Sequence, residues 1–161
     1  MCRQYDRDRA VITFTFGSNL PVIPVRLSIS NSLAKVYADA MEVPPRPILI
    51  NALVDSGASV TLVKADLIER LRLQEKGSCP IAGVCPDIIE YPNYDAGLAI
   101  LDGWEAGAKE FFSISDMQII GAPLSTPGIE MLLGMDVLEN FEFTINLRRK
   151  TVTLRELADD E

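Results

Sequence analysis

The stretch Ile48–Val63 reads ILINALVDSGASVTLV. An apolar run ends in a carboxylate, Asp55, and the turn Ser56-Gly57-Ala58-Ser59 follows at once. Burying a lone charge is costly, so a carboxylate at the end of an apolar strand needs a reason. One reason is structural: Asp bonds nearby backbone and Gly supplies positive φ, so Asp-Ser-Gly makes a good turn. The other is acid–base chemistry. The chain contains no His, which removes Ser–His and Cys–His nucleophile pairs and the commonest metal ligand. Proton transfer near neutral or acidic pH then falls to carboxylates, or to perturbed Cys, Lys or Tyr. Context favours chemistry. Small residues follow Asp55, and apolar strands lead both in and out, whereas a plain surface turn needs no apolar walls.

Other chemistry-bearing residues have simpler readings. Asp136, in LLGMD, is a second candidate carboxylate, but it lacks the Asp-Ser-Gly context. It is expected at a helix start, where Asp is favourable near the positive end of the helix. Asp102, before Gly103 and Trp104, suits a hairpin turn. Asp95, before Ala96-Gly97, is expected in a turn as well. Arg148-Arg149-Lys150 makes a solvated hairpin tip too small for a nucleic-acid site. Cys85 is read as a small apolar filler rather than a redox site.

These residues need elements to position them. Alternation of β-branched and aromatic residues predicts strands at 11–16 and 22–30. Pro24 marks an edge or a strand start. Residues 31–47 break the pattern and are expected to be a loop, with Pro44, Pro45 and Pro47 extending the chain into a strand at 48–54. After the turn, 60–63 is extended. Leu67, Ile68 and Leu71 suit a short amphipathic helix within 64–73. Residues 77–100 read as one long hairpin or loop pair. A strand, bulged, is expected at 109–120, and a short buried strand at 129–134. A helical segment covers 135–141, and a hairpin turns about 146–150. The tail is expected to fray. The chain is therefore mainly β with two short helices.

With 161 residues, 48% of them hydrophobic, the chain suits one globular domain with a sizeable core. A net charge of -8 argues against binding a phosphate backbone. Three Cys without framework spacing suit reduced thiols in the cytosol. The start of the chain is polar and charged, without a signal region, and no apolar run reaches membrane-spanning length. A cytoplasmic protein is expected, with no nucleic-acid or membrane partner and no metal.

Ala52–Ser59, ALVDSGAS, resembles the active-site signature of the retropepsin-like aspartic proteases. Ile129–Leu138, IEMLLGMDVL, is similar to the apolar-apolar-Gly segment before that family's C-terminal helix, and Phe141–Leu154 to its last hairpin. The resemblance runs in order over residues 20–155. It implies a single-domain closed β-barrel with two short helices, an obligate homodimer. Residues 1–19 would be an N-terminal extension and 156–161 a tail. It also implies an aspartic endopeptidase without a cofactor. Asp55 of two subunits would face each other, share a proton and activate water. Ser56 would bond across the dimer axis. Gly57 would let its N–H approach a carboxylate. An extended peptide would add as a strand beneath a flap within 79–97. Ala58, Ser59, Ile81, Ala82, Gly83, Val84, Leu133 and Gly134 would line its path, with Gly134 packed against the active-site loop. The flap departs from the familiar pattern, because Val84, Cys85 and Pro86 replace a Gly-rich tip. Two alternatives stand beside the enzyme. One is a module of the same fold that no longer cuts and serves dimerisation or peptide binding. The other is an unrelated all-β binding protein.

Overall fold

The computed structural model describes residues 10–82 and 88–157. The chain runs β1 (Val11–Thr15), β2 (Val22–Ile29), α1 (Asn31–Asp39), β3 (Ile48–Val54), β4 (Leu62–Lys64) and α2 (Ala65–Arg70). It continues β5 (Glu75–Ala82), β6 (Ile88–Leu101), β7 (Glu110–Ala122), β8 (Met131–Leu133), α3 (Met135–Leu138), β9 (Phe141–Asn146) and β10 (Thr151–Glu156). Mainly β architecture agrees with the sequence. None of the described helices is long and apolar enough to cross a membrane.

Strand pairing closes a barrel. The order β2-β3-β8-β4-β7-β6 returns to its start through a β6–β2 ladder, Val25↔Ile100 to Ile29↔Ala96. Two contacts in the ring are parallel, β3–β8 and β4–β7, and the others are antiparallel. Closure leaves no unpaired edge around the ring. β5 lies outside it, paired only with the first half of β6, so β5 and β6 form the expected hairpin. β7 is bulged, as expected, with register shifts opposite Ala96/Leu98 and Ile100/Leu101. Pro24 sits opposite Asn51 of β3, just before the β6 ladder begins, so its missing N–H breaks no bond on that side.

Alternation fills the barrel. Ile50, Ala52 and Val54 of β3 point inward, as do Ile23, Val25 and Leu27 of β2. A second sheet, β1-β10-β9, packs on the same core through Phe14, Phe16, Phe141, Val152 and Leu154. Phe141 meets Phe111 and Phe112 of β7, with ring centroids 6.1 and 4.8 Å away. Residues from Val11 onward, expected in an extension, are thus joined to the domain by a five-pair ladder to β10.

Two other expectations are corrected. Residues 31–39 are a helix, giving three helices rather than two among the described residues. Ser30 caps it by accepting from the Leu33 N–H at 3.1 Å. Asp116 of β7 accepts from both the backbone N–H and the hydroxyl of Ser32, at 3.0 and 2.8 Å. Asp95 is not in a turn. It lies within β6, opposite Gln118. Asp102 does hold the β6–β7 turn, accepting from the Lys109 N–H at 2.7 Å.

Two measurements check this packing. Phe14→Ala is expected to cost about 3–5 kcal/mol in urea unfolding, whereas a loose extension would show no loss. The Ser32 backbone N–H, and then its hydroxyl, hold the Asp116 carboxyl below the usual Asp value. A lowered carboxyl adds stability above its unfolded value and loses it as pH falls through its folded one. Asp116→Asn should therefore be less stable than wild type at neutral pH. Urea midpoints across a pH series should converge in acid, below the ordinary Asp range.

Candidate functional site

Asp55 is the first residue after β3, and its position is set by hydrogen bonds to one other segment. The Asp55 N–H donates to the carbonyl of Leu133 at 3.1 Å, continuing the parallel β3–β8 ladder by one step. Beyond it the chain reverses, and the Ala58 N–H donates back to the Asp55 carbonyl at 3.2 Å. The Met135 N–H then donates to the Ala58 carbonyl at 2.8 Å. Residues 133–135 thus grip the turn on both sides.

The side chain of Asp55 is oriented within this turn. Its Oδ1 accepts from the Gly57 N–H at 2.9 Å. A Cβ on Gly57 would lie 3.2 Å from that oxygen, a tight approach that glycine avoids. Asp55 is half-buried, and Ser56, Gly57 and Ser59 are exposed. A carboxylate held by an N–H and open to solvent on one side can accept a proton from water. One chain supplies one such group. Among the described residues, no three His, Cys, Asp or Glu side chains gather as a metal-ligand set.

Gly134 packs against this turn. A Cβ there would sit 2.5 Å from the backbone carbon and oxygen of Val60. Leu133 differs from the expectation that it faces substrate. It is fully buried in the main core, and alternation puts Leu132 on the outer face instead. On that face Leu62, Ile120 and Ala122 form a second apolar cluster. Ala58 and Val60 pack on it from the turn, and Cys79, Ile81 and Tyr91 from the hairpin. So Ala58 and Ile81, both singled out in the sequence, meet on one surface. Ser59 and Ala82 are exposed beside it. Gly83, Val84 and the tip of the expected flap lie outside the described residues, as does Cys85.

Sequence reasoning missed Leu62, Tyr91, Ile120 and Leu132 as members of this surface. The alternation in β4 and β8 carried the signal, but only the register of the ring puts these strands side by side. It also missed how Asp136 is used. Asp136 stands in the first turn of its helix, as expected, and its carboxylate also accepts from the N–H and hydroxyl of Thr61, at 2.9 and 2.7 Å.

No family model matches the sequence, and no curated protein matches it. Among solved structures, the chain is similar to a crystal structure of a retropepsin-like aspartic protease from Rickettsia conorii. Sequence identity is 15% and the TM-score 0.48, over 92% of this chain and 96% of that one.

The close approach at Gly134 yields a test. Gly134→Ala is expected to lower stability by about 1–3 kcal/mol, because the contact is with backbone that cannot swing aside. Calorimetric or urea unfolding would measure it, and an unchanged protein would show that the approach is looser than described.

Proposed function

We propose that this chain is an aspartic endopeptidase that works as a homodimer, each copy supplying Asp55. The observation that carries this reading is the Asp55 turn itself. Its carboxylate is oriented by the Gly57 N–H at 2.9 Å and set at the barrel surface, with Ser56 and Gly57 exposed where a second copy could meet them. The likeness of ALVDSGAS to the retropepsin signature supports the same reading.

In the proposed dimer two Asp55 carboxylates come close enough that both cannot ionise, so they share one proton. The ionised member takes a proton from a bound water as that water attacks the scissile carbonyl carbon. The protonated member donates to the carbonyl oxygen. A tetrahedral gem-diol forms, and its collapse expels the amine, which takes a proton from the pair. The pair titrates as a unit, with values that belong to both groups. Ser56 would brace the two turns across the axis. Substrate would lie extended against the β5–β6 hairpin, its side chains near Ala58, Ile81 and the apolar cluster around Leu62. A cytoplasmic setting is part of the proposal, supported by the free thiol of Cys79.

Mass-spectrometric profiling of a diverse peptide mixture tests the reading, at high protein concentration and from acidic to neutral pH. Wild type should produce a defined set of cuts that Asp55→Asn lowers by about 10²–10⁴-fold. Cuts of equal rate with both proteins would assign the activity to something other than Asp55. No cuts from a confirmed dimer would favour a binding module.

A further inference from the structure

We infer that Asp136 is a positioning residue for Asp55, acting through Thr61; this rests on the peptidase reading. Asp136 stands in the short helix α3, whose N-cap is Gly134. Both of its carboxylate oxygens are spent on one residue of another segment. Oδ2 accepts the Thr61 N–H at 2.9 Å, and Oδ1 accepts the Thr61 hydroxyl at 2.7 Å. Hydrogen bonds to an ionised acceptor are short and roughly twice as strong as neutral ones. The same Thr61 oxygen accepts from the Gly134 N–H at 3.2 Å. Thr61 is fully buried. Its carbonyl accepts from the Ile120 N–H at 3.0 Å, tying the pair to β7 as well.

The consequence for Asp55 follows from where these bonds fall. The turn from Asp55 to Thr61 is joined to residues 133–136 at its start, middle and end. Leu133 holds Asp55, Met135 holds Ala58, and Asp136 holds Thr61. The first two joints are backbone bonds that most sequences could make. The third is the side-chain joint, and it depends on having two acceptor oxygens side by side. Without it the exit of the turn loses its anchor. The buried Thr61 N–H is also left unpaired, a costly state that the backbone relieves by moving. A shift of an ångström in a turn that carries a catalytic group can cost about 10²-fold in rate.

The test uses the full chain and separates position from stability. Asp136→Ala is expected to lower kcat about 10²-fold with KM nearly unchanged. Asp136→Asn, which keeps one acceptor oxygen, should recover about 10-fold of that. Thr61→Val should resemble Asp136→Asn, and the two together should cost less than the product of their separate effects, because they remove one joint. Glu139→Gln, an exposed acid one turn away, should leave kinetics unchanged. If Asp136→Ala unfolds, the Asn and Val variants decide. A second readout needs no activity. The Gly57 amide resonance reports the bond to Asp55 Oδ1, and Asp136→Asn should shift it while core amides such as that of Leu98 stay in place. An unmoved Gly57 amide would overturn the inference, as would unaltered kcat in folded Asp136→Ala. A wild type without peptidase activity but with a shifted Gly57 amide would defeat the peptidase reading and leave the coupling of Asp136 to Asp55 standing.

Discussion

A turn that is mostly polar and exposed buries too little apolar surface to hold one conformation by itself. The Asp55 turn is of this kind, with Ser56, Gly57 and Ser59 exposed. Its shape comes from hydrogen bonds to residues 133–136, and from a glycine there small enough to lie against Val60. That contact depends in turn on register. β3 and β8 run parallel with Val54 opposite Leu133, which brings the Asp55 N–H onto the Leu133 carbonyl. A slip of one residue would break that bond, and it would turn Leu133 out of the core and Leu132 into it. Barrel closure fixes the register, so the long-range fold and the placement of one carboxylate are the same problem.

The turn also lies where two apolar bodies end. The main core stops at Val54 and Leu133, and the outer cluster begins at Ala58 and Val60. Asp55 sits between them, half-buried, which lets a single chain keep its carboxylate hydrated at little cost. Covering it with a second copy would raise that cost sharply unless the two carboxylates shared a proton. In the proposed enzyme the same desolvation that opposes two charges creates an acid and a base side by side.

Much of this was legible in the sequence, for physical reasons. Alternation marked β1 and β2, the apolar run before Asp55 marked β3, and the buried apolar run ending in Gly134 marked β8, while the close packing of Gly134 was implied by the family resemblance. Asp55 stood out because its surroundings were wrong for an ordinary turn. Helix α1 was missed although its apolar residues Leu33, Val36 and Tyr37 follow a helical spacing after the capping residue Ser30. None of its residues is fully buried. The helix is held at its start by Asp116, a partner 84 residues away from Ser32, which no local pattern reveals. Asp95 was misread because a Gly two residues later suggested a turn, whereas that Gly lies in β6 close to Ser28 and Ile29. The Asp136–Thr61 joint spans 75 residues and was hidden in the same way. Leu133 is expected along the peptide's path yet lies in the core, because inside and outside exchange at every step along a strand. Only the neighbouring strands say which is which.

Subunit mixing tests the central claim most directly. Wild-type and Asp55→Asn chains would be combined at constant total concentration, allowed to exchange, and assayed on a peptide that wild type cleaves. If each active unit needs Asp55 from both of two chains, activity falls as the square of the wild-type fraction. A fall in simple proportion to that fraction would mean that one chain catalyses alone, and would contradict the account.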